Sequence, residues 1–384
     1  MNLFETNQNP QTDFSLNEKL DWLRLIRTEN VGPITFYKLI ERYSSASEAL
    51  NALPELSKKG GRKKPLVAPN KNTIEKEYED LQKLGGDIVC VNEKTYPLAL
   101  AATDDAPPVL SYLGDINLVR APCLAMVGAR NASLNGKKFA TKLAKELGQC
   151  GQIIVSGLAR GIDTSAHEGA LATGTIAVVA GGIDVIYPRE NAELYEQVKQ
   201  KGLIFAESPL GMEPIARHFP KRNRIVSGLS AGVIVVEATF KSGSLITARM
   251  AGEQGRDVYA VPGYPLDPRA QGPNKLIQDG AILVQNAHDI LNAMNTYSGG
   301  KALHDYSAQA LPNLSLVSEN TDEKEIEDVR ALLLQNLSQM PVGVDELARV
   351  CHVSIPALQM AVLEMELAGR LGRLPGNRVV LLDE

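Results

Sequence analysis

From about residue 84 onward, short runs of apolar and β-branched residues alternate with amphipathic stretches of ten or more residues. Strands that read as continuous apolar runs and are separated by helices indicate a parallel sheet covered on both faces. The sequence therefore predicts an α/β domain over residues 84–295, built on a doubly wound, mostly parallel sheet. The predicted strands are Asp87–Val91, Leu124–Val127, Ile153–Ser156, Thr175–Ala180, Leu203–Ala206, Val233–Glu237, Val258–Val261 and Ile282–Val284.

Helical patterns flank this domain on both sides. Residues 16–83 start with two helical faces joined by the tight turn Asn30–Pro33, which predicts a helix-hairpin-helix or SAM-like domain. Its turn can offer backbone N–H groups to a DNA phosphate, or the hairpin can serve only for packing. Residues 323–384 read as three helices, a strand, a turn and a strand, the plan of a winged helix. We predict a polar, disordered tail at 1–15 and a linker at 296–322.

Composition narrows the functional classes. Lys and Arg number 40 against 45 Asp and Glu, and the formal net charge of −5 argues against a polybasic protein. Aromatic residues make up only 5%, so a sheet lined by stacked aromatic rings is not expected. The four cysteines lack disulfide and zinc spacing, which is typical of thiols in a reducing compartment. Without a signal peptide or a membrane-spanning run, the prediction is a cytoplasmic protein with no metal site.

The charge is unevenly distributed along the chain. Residues 120–170 hold seven Lys or Arg and three Asp or Glu, and residues 210–249 hold six and two, so each window carries +4. Residues 301–384 hold seven basic and thirteen acidic residues, which gives −6. The basic windows contain loops that follow predicted strands, so an acidic chain can still present a cationic edge.

Glycine- and serine-bearing loops follow the second and third predicted strands. In open α/β sheets ligands bind at this edge, where glycine lets the backbone approach a phosphate and helix N-termini offer N–H groups. The loops do not match G-x-G-x-x-G, so we expect no dinucleotide cofactor. Ser133 can cap the following helix or donate to a phosphate, and Arg160 can contact a phosphate or pair with Asp163. The candidate anion-binding residues in these loops are Gly128, Arg130, Ser133, Ser156, Gly157 and Arg160.

Two later segments extend the candidate site. His218–Ile225 places three cations in four residues beside an aromatic ring, a combination suited to phosphates and one nucleobase. Cations are unfavourable in the first turn of a helix, so an anion is expected to compensate them. The segment Ser242–Thr247 opens another helix with groups that accept anions. Together these segments supply Phe219, Lys221, Arg222, Asn223, Arg224, Ser242, Gly243, Ser244 and Thr247.

These strings together resemble the DNA-processing protein A family (DprA, also called Smf). The matching strings are Val127–Ser133, Val155–Asp163, Gly181–Pro188, Phe219–Ile225, Val236–Ala248 and Ala260–Gly263. The resemblance implies an extended Rossmann-like domain that binds single-stranded DNA without sequence preference, protects incoming strands in natural transformation and helps to load the RecA recombinase. It implies a basic DNA pocket formed by Arg130, Lys221, Arg222 and Arg224, with Phe219 beside it and with Gly128 and Gly243 approaching phosphates.

The resemblance also implies a homodimer formed through the Rossmann-like domain. We assign the interface to residues 272–291, although an ordinary core helix and strand would explain most of the same apolar positions. The apolar residues of this segment are Leu276, Ile277, Ile282, Leu283 and Ile290.

The winged helix differs from a DNA reader in its charge. A helix that enters the major groove normally carries cations, but Ile355–Gly369 contains Glu364 and Glu366 and no Lys or Arg. This composition favours a protein-contact or regulatory module.

Two functional hypotheses follow from these patterns. The first is a non-enzymatic single-stranded-DNA binder and recombination mediator. The second is a nucleotide-hydrolysing enzyme similar to the lysine-decarboxylase-like Rossmann group. Against the second, Lys241–Thr247 lacks the glycine pair of that group, and Glu237 and Glu253 are the nearby acids. A nuclease is disfavoured because no Asp/Glu cluster has Mg²⁺-binding spacing.

Overall fold

The computed structural model describes residues 14–297, 323–374 and 376–382. Most of the predicted tail, residues 1–13, and most of the predicted linker, residues 298–322, lie outside the described residues. The described chain forms two compact units. One comprises residues 76–297, and the other combines residues 14–75 with the residues from 323 onward.

The first unit is built on a nine-stranded sheet with the strand order β1-β2-β6-β5-β4-β3-β7-β8-β9. Strands β3 to β9 run parallel to one another, while β2 is antiparallel to both β1 and β6. This confirms the predicted doubly wound, mostly parallel sheet. The strands are β1 Gly86–Cys90, β2 Val109–Gly114, β3 Cys123–Val127, β4 Ile153–Ser156, β5 Thr175–Val179, β6 Leu203–Ala206, β7 Gly232–Val235, β8 Asp257–Ala260 and β9 Ile282–Leu283.

Strand β2 was not predicted. Its sequence, Val-Leu-Ser-Tyr-Leu-Gly, follows two prolines, and the polar Ser111 and Tyr112 interrupt the apolar run. The strand forms because the two neighbouring strands supply partners on both sides, with Tyr112 opposite Asp87 of β1 and Phe205 of β6. Such partners are set by the tertiary fold rather than by the local pattern.

Helices pack against the sheet between consecutive strands. Buried side chains of α6 and α7 form a core with those of the central strands, including Leu124, Leu143 and Ile234. The helices are α4 Lys71–Lys83, α5 Leu98–Ala101, α6 Leu134–Gln149, α7 Ile162–Ala170, α8 Ala192–Lys201, α9 His218–Gly228, α10 Gly243–Glu253, α11 Gln271–Gln278 and α12 Ala287–Tyr297.

The strand order reverses at β3, which has β4 on one side and β7 on the other. From β3 the chain passes outward through β4, β5 and β6 and then returns to β7. The loops that leave the carboxyl ends of β3 and β7 therefore diverge and open a crevice between them. This is the position at which open α/β sheets bind ligands.

The second unit contains the N-terminal helices together with a winged helix, which confirms both predicted modules. They are not separate bodies, because the N-terminal helices α2 and α3 pack against α15 of the winged helix. The three winged-helix strands pair in the order β10-β12-β11. The elements are α1 Leu16–Ile26, α2 Pro33–Tyr43, α3 Ala46–Lys59, α13 Glu323–Asn336, β10 Val342–Gly343, α14 Val344–Cys351, α15 Ile355–Leu367, β11 Leu371–Leu374 and β12 Arg378–Leu381.

None of the described helices is by itself long and apolar enough to cross a membrane. Helices α14 and α15 reach the required length and composition only as a pair, and that pair is bent by 120°.

Candidate nucleic-acid interface

A cleft of about 810 Å³ opens at the crevice between the loops after β3 and β7. The loops after β4, β5, β6 and β8 and residues of α9 complete its walls. A hollow of about 20 Å³ adjoins it and shares Arg130, Tyr187, Phe219 and Arg222. The polar residues that line the cleft are Arg130, Asn131, Asp163, Tyr187, Arg222, Asn223, Thr239, Lys241, Ser242, Ser244, Thr247 and Arg269.

Cations dominate the cleft. Four of its lining residues are basic, and the acidic residue that lines it is Asp163. Arg130 and Lys241 are exposed, whereas Arg222 is buried at 7% exposure. The cleft thus combines exposed cations with one buried guanidinium, and its charge suits an anionic ligand.

The buried Arg222 is fixed by the loop after β4. A Cβ atom built at Gly157 would lie 1.3 Å from Nη1 of Arg222, so the guanidinium occupies the space above this glycine. Nearby, the backbone N–H groups of Gly157 and Ala159 donate to Oδ2 of Asp163 at 3.2 and 3.4 Å. Burial raises the pKa of Asp163, and the charge of Arg222 opposes that rise.

Arg222 also has a buried hydrogen-bond donor that no described residue accepts. Burial lowers the pKa of Arg222, and the positive charge of Arg130 lowers it further. The negative charge of Asp163 acts in the opposite direction and raises this pKa. The Nε of Arg222 is buried and has no hydrogen-bond partner among the described residues. A buried donor without a partner is costly. An anion in the cleft would supply both an acceptor and a compensating charge.

Two aromatic rings lie beside the cations. The guanidinium of Arg130 is 5.0 Å from the ring centroid of Phe219, within the range of a cation–π contact. The rings of Tyr187 and Phe219 are 5.7 Å apart and tilted by 53°. These rings offer apolar faces next to cationic side chains, the combination found in proteins that bind single-stranded nucleic acids.

Two helices begin at the cleft. Helices α9 and α10 have no acidic residue in their first turns, and no side chain caps either N-terminus. The hydroxyls of Ser242 and Ser244 lie 2.8 Å apart at the start of α10. Unpaired N–H groups and the positive end of the helix dipole favour anions at this position. The predicted helix with a cationic first turn is α9.

The structure brings most of the sequence-predicted residues together. Residues at the cleft or its adjoining hollow are Gly128, Arg130, Gly157, Arg160, Phe219, Arg222, Asn223, Ser242, Gly243, Ser244 and Thr247. Four others line neither space: Ser133, Ser156, Lys221 and Arg224.

The two serines make internal hydrogen bonds. The Ser133 hydroxyl donates to Oε1 of Glu237 at 2.6 Å and caps α6 by accepting from the N–H of Gly136. The Ser156 hydroxyl is fully buried and donates to the carbonyl of Met126 at 2.7 Å. Both serines position loops rather than facing the cleft.

Two arginines make ion pairs that the sequence did not predict. Arg224 forms a short ion pair with Glu207 and approaches Asp105, with its Nε 3.6 Å from Oδ2, and these carboxylates help to raise its pKa. It is thus held within the fold. Arg160 is exposed, and its Nε lies 3.5 Å from Oε1 of Glu190, so its carboxylate neighbour is not Asp163.

The polar lining residues that the sequence-based assignment did not include are Asn131, Asp163, Tyr187, Thr239, Lys241 and Arg269. All of these except Arg269 lie inside strings that carry the family resemblance, so their position along the chain pointed to them. Arg269 follows β8, and its guanidinium contacts Asp267 at 3.0 Å. No recognisable motif surrounds it. Backbone hydrogen bonds hold this loop beside the cleft: the Ala238 N–H donates to the Arg269 carbonyl, and the Gly272 N–H donates to the Ala238 carbonyl.

The acids considered for the enzyme hypothesis do not line the cleft. Glu237 accepts hydrogen bonds from both the backbone N–H and the hydroxyl of Ser133. Glu253 lies 3.6 Å from Arg249 on the surface of α10. Among the described residues, no cluster of three or more His, Cys, Asp or Glu could hold a metal ion.

The five residues assigned to dimerisation differ in how deeply they are buried. Ile290 is fully buried in the core formed by α6, α7 and the central strands, so it cannot form an interface and that assignment was wrong. Leu276, Ile277 and Ile282 are partly buried, and Ile282 packs against the same core. Leu283 is 46% exposed and lies on β9, at the end of the sheet.

Comparison with known protein families gives three matches along the chain. Residues 87–295 match the family model of DNA recombination-mediator protein A. Residues 17–79 match the DprA-like N-terminal HHH domain, and residues 317–377 match the DprA winged helix domain.

Individual relatives agree with these matches. Protein Smf of Escherichia coli K12 is 38% identical over 314 residues, which cover 81% of this chain and 82% of that protein. The crystal structure of DNA processing protein A from Streptococcus pneumoniae is similar with a TM-score of 0.64 and 35% identity, covering 73% of this chain and 98% of that one. DNA processing protein A from Helicobacter pylori, solved for its single-stranded DNA binding mode, has a TM-score of 0.51 and 32% identity, covering 55% and 96%.

Proposed function

Because the chain belongs to the DNA recombination-mediator protein A family, we propose that it binds single-stranded DNA without sequence preference, protects incoming strands and mediates RecA loading in natural transformation. In this proposal the protein acts in the cytoplasm as a homodimer, without catalysing a reaction. The cleft beside Arg130 and Arg222 holds the DNA backbone.

The charge of the cleft is the observation that carries the proposal. Four basic residues face it, and the buried Arg222 has an Nε without a partner among the described residues. A phosphate in the cleft would therefore supply negative charge opposite these cations and a hydrogen-bond acceptor for the Nε of Arg222. The relative from Helicobacter pylori, whose structure concerns its single-stranded DNA binding mode, supports the choice of ligand.

The cleft also accounts for binding that is independent of sequence. Cations, helix N-termini and serine hydroxyls contact phosphates, which are the same in every nucleotide. The rings of Phe219 and Tyr187 can stack on any base, because every base has a π-face. A single strand exposes such faces, whereas a duplex keeps them stacked inside.

The test is a fluorescence anisotropy titration of the full chain with single-stranded oligonucleotides of different sequence at several salt concentrations. Loss of one charge-assisted contact in Arg130→Ala should weaken binding about tenfold for every sequence. It should also reduce the log–log salt slope by about 0.7. The matched control is Lys142→Ala, which removes an exposed cation from α6, where Lys142 lies 3.7 Å from Glu146.

Two outcomes would count against the proposal. If Arg130→Ala and Arg222→Ala both bound like the unmodified chain, the cleft would not be the DNA site. If the chain bound DNA but did not accelerate RecA filament nucleation on a coated single strand, the mediator role would be wrong. Release of a free base from nucleoside monophosphates would instead support an enzyme.

A further inference from the structure

The third helix of the winged helix, α15, is unusually buried. In winged-helix and helix-turn-helix proteins that read DNA, the corresponding helix lies in the major groove and must therefore be exposed. Here every residue from Ala357 to Leu367 is buried except Gln359. A helix that is apolar around its whole circumference is covered on all sides. This helix therefore has no free face for DNA.

Two parts of the chain cover α15. On one side it packs against α13 and β11 of the winged helix, and on the other against α2 and α3 of the N-terminal hairpin. The approach is close at Gly60, directly after α3, where an added Cβ would lie 1.9 Å from the carbonyl oxygen of Glu364. In the turn between α1 and α2, the Asn30 amide donates to the carbonyl of Leu367 at 3.4 Å.

The charged side chains at this contact are paired with opposite charges. The two glutamates of α15 are paired within the winged helix, Glu364 with Arg330 and Glu366 with Arg373, whose Nε–Oε1 distance is 3.2 Å. Between the modules, Lys59 lies 2.6 Å from Oε1 of Glu323. The acidic helix thus meets the hairpin with its own charges neutralised.

We propose that the winged helix is a docking module whose partner is the α2–α3 hairpin of the same chain, and that it does not read DNA. The contact uses the helix that DNA-reading relatives of the fold insert into the groove. It also engages Asn30, in the turn between α1 and α2 that the sequence assigned either to phosphate binding or to packing. The two modules at opposite ends of the chain should then open as one unit.

The first test is hydrogen–deuterium exchange of the full chain with Gly60→Ala. Gly60 has φ −66°, so alanine is not strained there and acts only through its Cβ. Amide protection should fall together in residues 33–59 and 355–367, while residues 86–297 remain unchanged. The matched control is Gly252→Ala on α10, where an added Cβ meets nothing within 4 Å. Loss of protection in only one of the two modules would overturn the proposal.

A milder variant keeps the test informative if Gly60→Ala does not fold. Lys59→Glu places a carboxylate opposite Glu323 and should produce the same paired loss of protection. Adding Glu323→Lys should restore protection in both segments. A paired loss without any rescue by the charge swap would show that the Lys59–Glu323 contact is absent and would count against the docking geometry.

The second test addresses DNA. Replacing the exposed Arg349 and Arg378 of the winged helix with alanine should change the affinity for single-stranded and duplex oligonucleotides by less than twofold. A larger loss for either ligand would identify the module as a DNA reader and overturn the proposal. Arg130→Ala, measured alongside, reports on the cleft alone, so failure of the proposed DNA site would be distinguishable from failure of the docking contact.

Discussion

Among single residues, position 157 must be glycine because the side chain of Arg222 lies directly against it. The guanidinium occupies the position in which any larger residue at 157 would place its Cβ, at 1.3 Å from Nη1. Gly157→Ala should therefore displace the buried guanidinium and weaken single-stranded-DNA binding about tenfold, as loss of one charged hydrogen bond would. The double variant with Arg222→Ala should bind no more weakly than either single variant, because both remove the same contact.

Anisotropy titrations of the four proteins in this cycle provide the measurement. Gly252→Ala serves as the control for the same chemical change at a position with open space. Additive losses in the double variant would mean that Gly157 acts through something other than Arg222.

Residue-level prediction succeeded where the chain itself carries the geometry. The Gly128 and Gly157 loops and Arg130 follow strands directly, so the strand prediction was enough to place them at one edge of the sheet. For Ser133 the sequence left open a helix cap or a phosphate donor, and the structure shows the cap. Ser156 was assigned to the anion site, but in both serines the hydroxyl donates to an acceptor within the fold. Those acceptors, Glu237 and the carbonyl of Met126, are 104 and 30 residues away in sequence and are brought close only by the fold.

Among the secondary-structure elements, α9 directs neighbouring cations toward different partners. Successive residues of an α-helix are rotated by about 100°, so residues two apart face roughly opposite directions. Arg222 accordingly faces the cleft, whereas Arg224 turns to Glu207 and Asp105. In the sequence alone the run looks like one basic patch. Applying the helical period to it would have separated these two arginines.

This separation predicts different consequences for neighbouring substitutions. Arg224→Ala leaves Glu207 and Asp105 without their cation in a largely buried position, which should lower the free energy of unfolding by about 3 kcal/mol. Its affinity for single-stranded DNA should remain within about twofold of the unmodified chain at a temperature where both are folded, since Arg224 does not line the cleft. Chemical denaturation and anisotropy give the two quantities.

Lys221→Ala is the matched control, because it removes an exposed cation from the same helix. It should leave the free energy of unfolding unchanged to within about 0.5 kcal/mol. If Arg224→Ala weakened DNA binding as much as Arg222→Ala without loss of stability, the assignment of Arg224 to the fold would be wrong.

At the scale of the whole molecule, the net charge of −5 averages over parts with opposite character. The two windows of +4 contribute Arg130, Arg222 and Lys241 to the cleft, and the acidic C-terminal segment contributes the paired glutamates of α15. The sequence predicted this division and the parallel sheet. It did not predict that the N-terminal helices and the winged helix form one compact unit, because the contacts at Gly60 and Asn30 join segments about 300 residues apart.

The proposed homodimer is the last prediction, and it concerns β9. This strand is at the end of the sheet, where it pairs with β8, and it presents Leu283 at 46% exposure. In a two-fold symmetric interface the same patch is used by both copies, so a charge introduced there is repeated across the axis. Leu283→Glu should therefore convert a dimer of two 41.5-kDa chains into monomers in analytical ultracentrifugation. The matched control is Leu98→Glu, since Leu98 is 47% exposed but lies on α5. Dimers that survive Leu283→Glu but not Leu98→Glu would place the interface elsewhere on the α/β unit.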